Sequence, residues 1–402
     1  MLKLYPRIVQ AGVKLFFGFL NWRIPEVIEG QGGIIKIPEI LSEKHGLKRP
    51  LLMVSKTVER SGLLDQMFID MKEKGIEYAI YDEVAPNPTE INVEEALEIY
   101  LKNKCDSLIA IGGGSPIDCC KVVGARVVNP DKTVAQMMGM KVKKKIPLMI
   151  AVPTTSGTGS ETTMYAVITD SKTHHKGGIA DLAILPDYAV LDPELMVGLP
   201  PYLTAISGMD ALSHAVECYT NYKYLTDLEK EHAKKAVKLI YENLYEAYKD
   251  GGSTERRLNM QKAAFDAGVA FNRGMTGYVH SIGHTLGGLY NVPHGLAMAV
   301  ILPVVMKQYG ASVYKRLSEL ADVCGIKGNS EKEKAEKFIS WIENLNEKMG
   351  IPKTFDIIQE KDIPQMIKWA KADGLINPTP QVWNNSEFEK CIRKLIEKKG
   401  GN

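Results

Sequence analysis

Asp210 and His214 stand four residues apart in Gly208-Met209-Asp210-Ala211-Leu212-Ser213-His214, and His280 and His284 repeat that spacing in Tyr278-Val279-His280-Ser281-Ile282-Gly283-His284. In a helix, residues at i and i+4 share one face with Cβ atoms about 5–6 Å apart, so each pair can offer two ligands to one ion. His294 follows between Pro293 and Gly295. A carboxylate with imidazoles is an oxygen and nitrogen donor set suited to a divalent first-row metal. Taken singly, each histidine is more simply a hydrogen-bonded interior or surface residue. Taken jointly, with three of the chain's eight histidines between positions 280 and 294, they read as a metal site. The small neighbours Gly277, Ser281, Gly283, Gly287, Gly288 and Gly295 would let a ligand approach closely. His45 and His232 keep the simpler reading. His174 and His175 are adjacent, so in a strand they point to opposite faces and cannot readily share an ion.

Two other segments carry anion chemistry. Ile111-Gly112-Gly113-Gly114-Ser115-Pro116-Ile117-Asp118 follows a buried-looking strand and opens a helical pattern near Pro116. Glycines remove the Cβ atoms that keep an anion from backbone N–H groups, and a helix N-terminus adds partial positive charge. The segment reads as a diphosphate cradle or as a tight strand-to-helix turn. It is not G-x-G-x-x-G, and it lacks the Gly-Lys-Ser/Thr ending of a P-loop. Pro153-Thr154-Thr155-Ser156-Gly157-Thr158-Gly159-Ser160-Glu161 also follows an apolar strand, and every residue from Thr154 to Ser160 is Thr, Ser or Gly. Two such loops in equivalent positions at strand ends suit an extended ligand, and together they favour a dinucleotide.

These residues need a scaffold, and the hydropathy pattern supplies one. Apolar runs at Leu51–Val54, Tyr78–Tyr81, Ser107–Ile111 and Leu148–Val152 alternate with helical patterns at Leu63–Lys74 and Val93–Lys102, as βαβ units of a parallel sheet do. Further strands are expected at Ala166–Thr169, Ala183–Leu185 and Ala189–Leu191. After Asp192-Pro193 the texture turns helical, with 3.6-residue periodicity over Glu229–Lys249, Thr254–Phe271 and Glu331–Met349. The expected organisation is an N-terminal helical extension over 1–24, an α/β domain with dinucleotide-binding loops over 25–195 and an all-helical metal-binding domain over 196–402. The chain's 50 basic and 48 acidic residues leave a formal charge of +2, so no general field draws nucleic acid. The six cysteines form no C-x-x-C pair or regular framework, which fits a reducing, cytoplasmic setting. Tyr5–Trp22 is too short and too interrupted to span a bilayer. Its apolar face is expected to pack on the protein or on a second subunit rather than at a membrane surface.

With these motifs in view, the sequence resembles the iron-containing (group III) alcohol dehydrogenases from about Pro25 to about Ile326. The likeness is carried by Pro86-Asn87-Pro88-Thr89, Gly112-Gly113-Gly114-Ser115 with Asp118, Pro153 to Glu161, Gly208 to Glu217 and His280 to Gly295. The resemblance implies the dehydroquinate synthase-like fold of that family. It also implies NAD(P)-linked, reversible hydride transfer between a primary alcohol and an aldehyde, in a homodimer or larger assembly. It places the metal ligands on Asp210, His214, His280 and His294, with His284 beside the reacting atoms. It places diphosphate contacts on Gly112, Gly113, Gly114 and Ser115, with Asp118 and Asn87 close by. Nicotinamide-side contacts fall on Thr154, Thr155 and Thr158, and Lys176 lies near the cofactor. The family metal is Fe²⁺, although affinity trends allow Zn²⁺ or Ni²⁺ at such ligands. One position departs: the strand Leu51–Val54 is followed by Ser55, with Lys56 and Arg60 nearby, where NAD-preferring relatives carry an Asp for the ribose hydroxyls. Loss of that carboxylate removes repulsion of a 2′-phosphate, so NADPH is expected to serve at least as well as NADH. The alternatives are a glycerol or polyol dehydrogenase of the same superfamily, a metal-dependent hydrolase, which would leave both loops without a role, and a non-catalytic scaffold.

Overall fold

The computed structural model describes residues 4–172 and 176–396, so His174 and His175 lie outside it. The chain divides into two compact units. One comprises Asn21–Leu199 with Gly251–Phe265, the other Met1–Leu20, Pro200–Asp250 and Asp266–Asn402.

The first unit holds eight strands: β1 (Glu26–Glu29), β2 (Pro50–Val54), β3 (Ala79–Tyr81), β4 (Ser107–Gly112), β5 (Met149–Pro153), β6 (Tyr165–Thr169), β7 (Lys176–Ala180) and β8 (Tyr188–Leu191). Six form a sheet in the order β1-β8-β5-β4-β2-β3, and every neighbouring pair is parallel. Both faces are covered, which is why the central strands are continuous apolar runs. Leu51, Met53, Leu108 and Ala110 pack on one side with Ile117 and Val122 of the helix Gly114–Val128. Leu52, Val54, Ile109 and Ile111 pack on the other with Ile37, Met67 and Met71. The chain leaves β2 toward β3 but leaves β4 toward β5, so the strand order reverses between β2 and β4. In such sheets ligands bind beyond the C-terminal strand ends at that reversal.

Two expectations need correcting. Ala183–Leu185 is not a strand: Leu182–Ile184 is a 3₁₀ turn, capped by the Asp181 carboxylate, which accepts from Ala183 N–H at 3.0 Å and from Lys143 N–H at 3.1 Å. The segment around Ala166–Thr169 is extended, but it pairs antiparallel with β7 in a separate two-stranded sheet. β7 contains Gly177 and Gly178, which carry no strand signal. At Gly177 the Met138 side chain packs over the strand, with its Sδ 2.8 Å from where a Cβ would stand.

The second unit is largely helical, as its periodicity indicates. Pro201–Asn221 is buried without a break from Gly208 to Asn221, so it is a central helix surrounded by others. His294–Ser312 is, among the described residues, the helix whose length and composition would allow it to cross a membrane. It is instead largely a core helix, with 56% of that stretch buried inside the protein. Leu4–Gly18 forms the expected N-terminal helix. It docks through Arg7, whose guanidinium donates to Thr379 O at 2.8 Å and Pro380 O at 3.0 Å, and through Gln10 Nε2, which donates to Asn377 O at 2.7 Å.

Candidate active site

Asp210 and His214 project from one face of the central helix, His280 from Tyr278–Tyr290, and His294 from the first residue of His294–Tyr309. One donor atom from each of the four lies within 4.8 Å of all the others. Asp210 Oδ1 is 3.3 Å from His294 Nε2 and 3.9 Å from His280 Nε2. Asp210, His214 and His280 are buried, whereas the His294 side chain is 40% exposed, so the cluster is open on the His294 side.

The fit to a cation is tested by hydrogen bonding. Asp210 Oδ1, His214 Nδ1 and His280 Nε2 are buried and have no hydrogen-bond partner. Leaving such groups unpaired costs about 1–3 kcal/mol each, more for a charged one, and a shared cation removes that cost. Burial pushes His214 down to about 3 and His280 well below its usual value, so both imidazoles are neutral and can donate a lone pair. Burial alone would raise Asp210, but the neighbouring His214, His294 and His280 outweigh it and hold the carboxyl below its usual range.

Close helix packing sets this geometry. A Cβ on Gly295 would come within 2.2 Å of Ile206 O, and one on Gly283 within 2.0 Å of Met298 Cε. These glycines are small because helices approach there, rather than to admit a ligand. The His214 ring stacks on Phe271 with centroids 4.0 Å apart and planes at 12°.

Glu217 is a residue that the sequence reading missed. Its Oε2 lies 2.5 Å from His280 Nδ1, and its Oε1 accepts from Val279 N–H at 2.7 Å. The carboxylate therefore caps the start of Tyr278–Tyr290 and selects the tautomer that leaves His280 Nε2 free for a metal. Burial raises its carboxyl to about 7, against the pull of backbone N–H donors. A signal was present: 210, 214, 217 and 221 fall on one helical face, a polar stripe on an otherwise apolar helix. Asp373 was also missed. Its Oδ2 sits 3.1 Å from His284 Nδ1, and no local pattern links residues 89 positions apart. His284 is not in the ligand cluster; its ring lies 5.5 Å from that of His294, beside the open side.

In the other unit, the two glycine- and hydroxyl-rich loops lie side by side, since Gly112 pairs with Pro153 and Thr154 N–H donates to Gly112 O at 2.9 Å. Ser55, Gly112–Ser115 and Thr154–Thr158 follow β2, β4 and β5, which are neighbours in the sheet. The helix Gly114–Val128 begins after Gly113, which offers no side-chain cap, leaving its first N–H groups for an anion. The glycines also serve packing: a Cβ on Gly114 would meet Thr158 Cγ2 at 2.8 Å. Ser115 Oγ donates to Pro86 O at 2.5 Å, which brings the loop of Asn87 alongside. Lys176 pairs with Thr169, whose N–H donates to Pro88 O at 2.8 Å.

Asp118 is spent inside the protein. It accepts from Ser160 Oγ at 2.5 Å and from Val167 N–H at 2.9 Å, binding the first loop's helix to the second loop. Lys121, unnoticed in the sequence, is fully buried and donates to Thr163 O at 2.8 Å, Tyr165 O at 2.7 Å and Ser160 Oγ at 3.1 Å. Burial lowers its ammonium to about 8. His45 and His232 have the bland roles expected, against Tyr188 Oη at 2.9 Å and Asp266 Oδ1 at 2.5 Å.

Two family models cover most of the chain: iron-containing alcohol dehydrogenase over residues 25–193, and the C-terminal model of the Fe-containing alcohol dehydrogenase family over 204–396. The chain is 37% identical over 358 residues to 1,3-propanediol dehydrogenase of Klebsiella pneumoniae, covering 87% of this chain and 92% of that protein. It is 34% identical over 376 residues to NAD-dependent methanol dehydrogenase of Bacillus methanolicus, covering 92% and 98%. A crystal structure of 1,3-propanediol oxidoreductase superposes with a TM-score of 0.89 at 35% identity, covering 94% of this chain and 100% of that one. The ligand cluster, the parallel sheet with its paired loops and these likenesses agree: the chain belongs to the iron-containing alcohol dehydrogenase family and is a metal-dependent, NAD(P)-linked alcohol dehydrogenase and aldehyde reductase.

Proposed function

We propose that this enzyme interconverts short primary alcohols or terminal diols with their aldehydes, using Fe²⁺ at Asp210, His214, His280 and His294. The observation that carries the reading is the convergence of four donor atoms within 4.8 Å, three of them on buried residues. When bound, the cation supplies Lewis acidity toward the substrate oxygen, and the nicotinamide takes or gives the hydride. The chain's own part is positional. Glu217 fixes the His280 tautomer, Phe271 fixes the His214 ring, and His284 with Asp373 handles a proton at the open side of the cluster. The N–H groups of Gly114 and Ser115 would hold the diphosphate, with Thr154, Thr155, Thr158, Asn87 and Lys176 around the rest of the cofactor. A homodimer or larger assembly in a reducing, cytoplasmic compartment is proposed as well, the compartment being supported by six cysteines that are all free and buried.

NADPH use rests on Ser55, which follows β2 without a carboxylate, and on Lys56 and Arg60 close behind it. Lys56 Nζ is 2.5 Å from Glu83 Oε2 and must turn from that partner to meet a 2′-phosphate. A strong preference for NADH in kcat/KM would refute this part. The decisive experiment joins elemental analysis to NADH and NADPH oxidation over short aldehydes, 3-hydroxypropanal and dihydroxyacetone, with and without a chelator. Iron-dependent turnover of the aldehydes is expected. Turnover of dihydroxyacetone alone would make the enzyme a glycerol-type dehydrogenase instead.

A further inference from the structure

The N-terminal helix Leu4–Gly18 precedes both family-matched segments, the first of which begins at residue 25. One side of it is anchored. Gln10 and Phe17 are buried, Phe17 sits edge-on to Tyr224 at 5.6 Å, and Tyr224 Oη donates to Gln10 O at 3.0 Å. The other side is bare and apolar. Leu4, Tyr5, Ile8, Leu15 and Phe16 are 46% to 67% exposed, and with Ala11 and Gly12 they fall within an arc of about 140° at 3.6 residues per turn; Phe19, in the turn just past the helix, is 80% exposed. Together they expose on the order of 800 Å², the share that a standard interface takes from each partner and more than a monomer ordinarily leaves uncovered.

Gly12 gives the second observation. Glycine in a helix costs about 1 kcal/mol relative to alanine, and nothing in this chain lies within 4 Å of a Cβ placed there. Packing within the chain therefore gives no reason for it, whereas close approach of another helix does. The stripe is also self-complementary, with large residues at both ends and Ala11 and Gly12 at its middle. Turned antiparallel about a two-fold axis at Gly12, Ile8 of one helix meets Leu15 and Phe16 of the other, and Leu4 and Tyr5 meet Phe19. Lys14 lies about 60° outside that arc, so its ammonium stays in water in this pairing. A lipid surface suits the face less well, since Arg7 is committed to Thr379 and Pro380 carbonyls and Lys14 is the basic residue left in the helix.

We infer that this helix is a self-association element, pairing two copies of the chain antiparallel about Gly12, an isologous contact that the family fold does not itself contain. The test uses the full-length, metal-loaded enzyme. Sedimentation of Ile8→Glu and Phe16→Glu should show half the wild-type assembly mass, with metal content and kcat unchanged. Gly12→Cys should give a reducible covalent dimer under mild oxidation, because the six native cysteines are buried. Unchanged mass in both glutamate variants overturns the inference, as does failure of Gly12→Cys to cross-link. Flotation of wild type, but not Ile8→Glu, with anionic vesicles at unchanged mass would assign the face to a membrane and overturn it equally.

Discussion

Glu217 and Asp373 each act on a histidine that a sequence motif can display but cannot orient. With Gln at 217, the amide would donate toward His280 Nδ1 and favour the tautomer protonated at Nε2. Glu217→Gln should therefore weaken metal binding 10- to 100-fold, measured by chelator competition, while circular dichroism stays near wild type. His284→Ala should lower kcat at least tenfold and reshape its pH profile with metal content intact; loss of metal would make His284 a ligand instead. Asp373→Asn should move the same pH profile, and the double variant should be little worse than either single one, since the two form one hydrogen-bonded pair. The clustering of Asp210, His214, His280 and His294 was legible in part, because i, i+4 spacing is local, whereas setting His284 apart from the cluster rested on the family resemblance. Asp373 was not, because its partnership with His284 exists only after folding.

At the scale of elements, the helical half and the central strands were legible from periodicity, since burial writes continuous apolar runs into β2, β4 and β5. The failures came where side-chain hydrogen bonds or packing outvote propensity, as at the Asp181-capped turn and in glycine-containing β7. Gly295→Ala tests the helix approach that seats His294. Its methyl has no room beside Ile206 O, so unit stability should fall by roughly 1–3 kcal/mol and metal affinity with it, read by thermal melts and metal titration. Gly12→Ala, with open space around it, should do no such harm. Glu161 tests the buried cluster that holds the hydroxyl-rich loop. Burial raises its carboxyl to about 7 from the ordinary 4.5, with Oε1 unpartnered. The folded state thus keeps a proton that the unfolded state has lost between those values. Its favourable contribution is full below pH 4.5 and is lost as pH rises through 7. Glu161→Gln should remove that decline and raise Tm by several degrees at pH 8, with little change at pH 4.5.

At the scale of the molecule, the donor cluster and the paired glycine- and hydroxyl-rich loops lie in separate compact units, which makes the two proposed sites separable by experiment. Trp341, Trp369 and Trp383 lie in the unit with the ligands, and Trp22 lies in the other. Chelation should lower the fluorescence-detected Tm by several degrees, because a cation held 1,000-fold above its Kd contributes about 4 kcal/mol to the state that binds it. Domain order was legible from the change of texture near Leu191–Tyr202, but interleaving was not: no composition shift marks Gly251–Phe265 as belonging with the sheet. The docking of the first helix has a consequence for synthesis. Arg7 waits for carbonyls 372 and 373 residues later in the chain, and at about 5–20 residues per second that is tens of seconds on the ribosome. Throughout that time both sides of an apolar helix are uncovered, so the nascent chain presents a chaperone substrate until Thr379 and Pro380 emerge. Production of the enzyme should then depend on holdase supply more steeply than that of a chain lacking this helix.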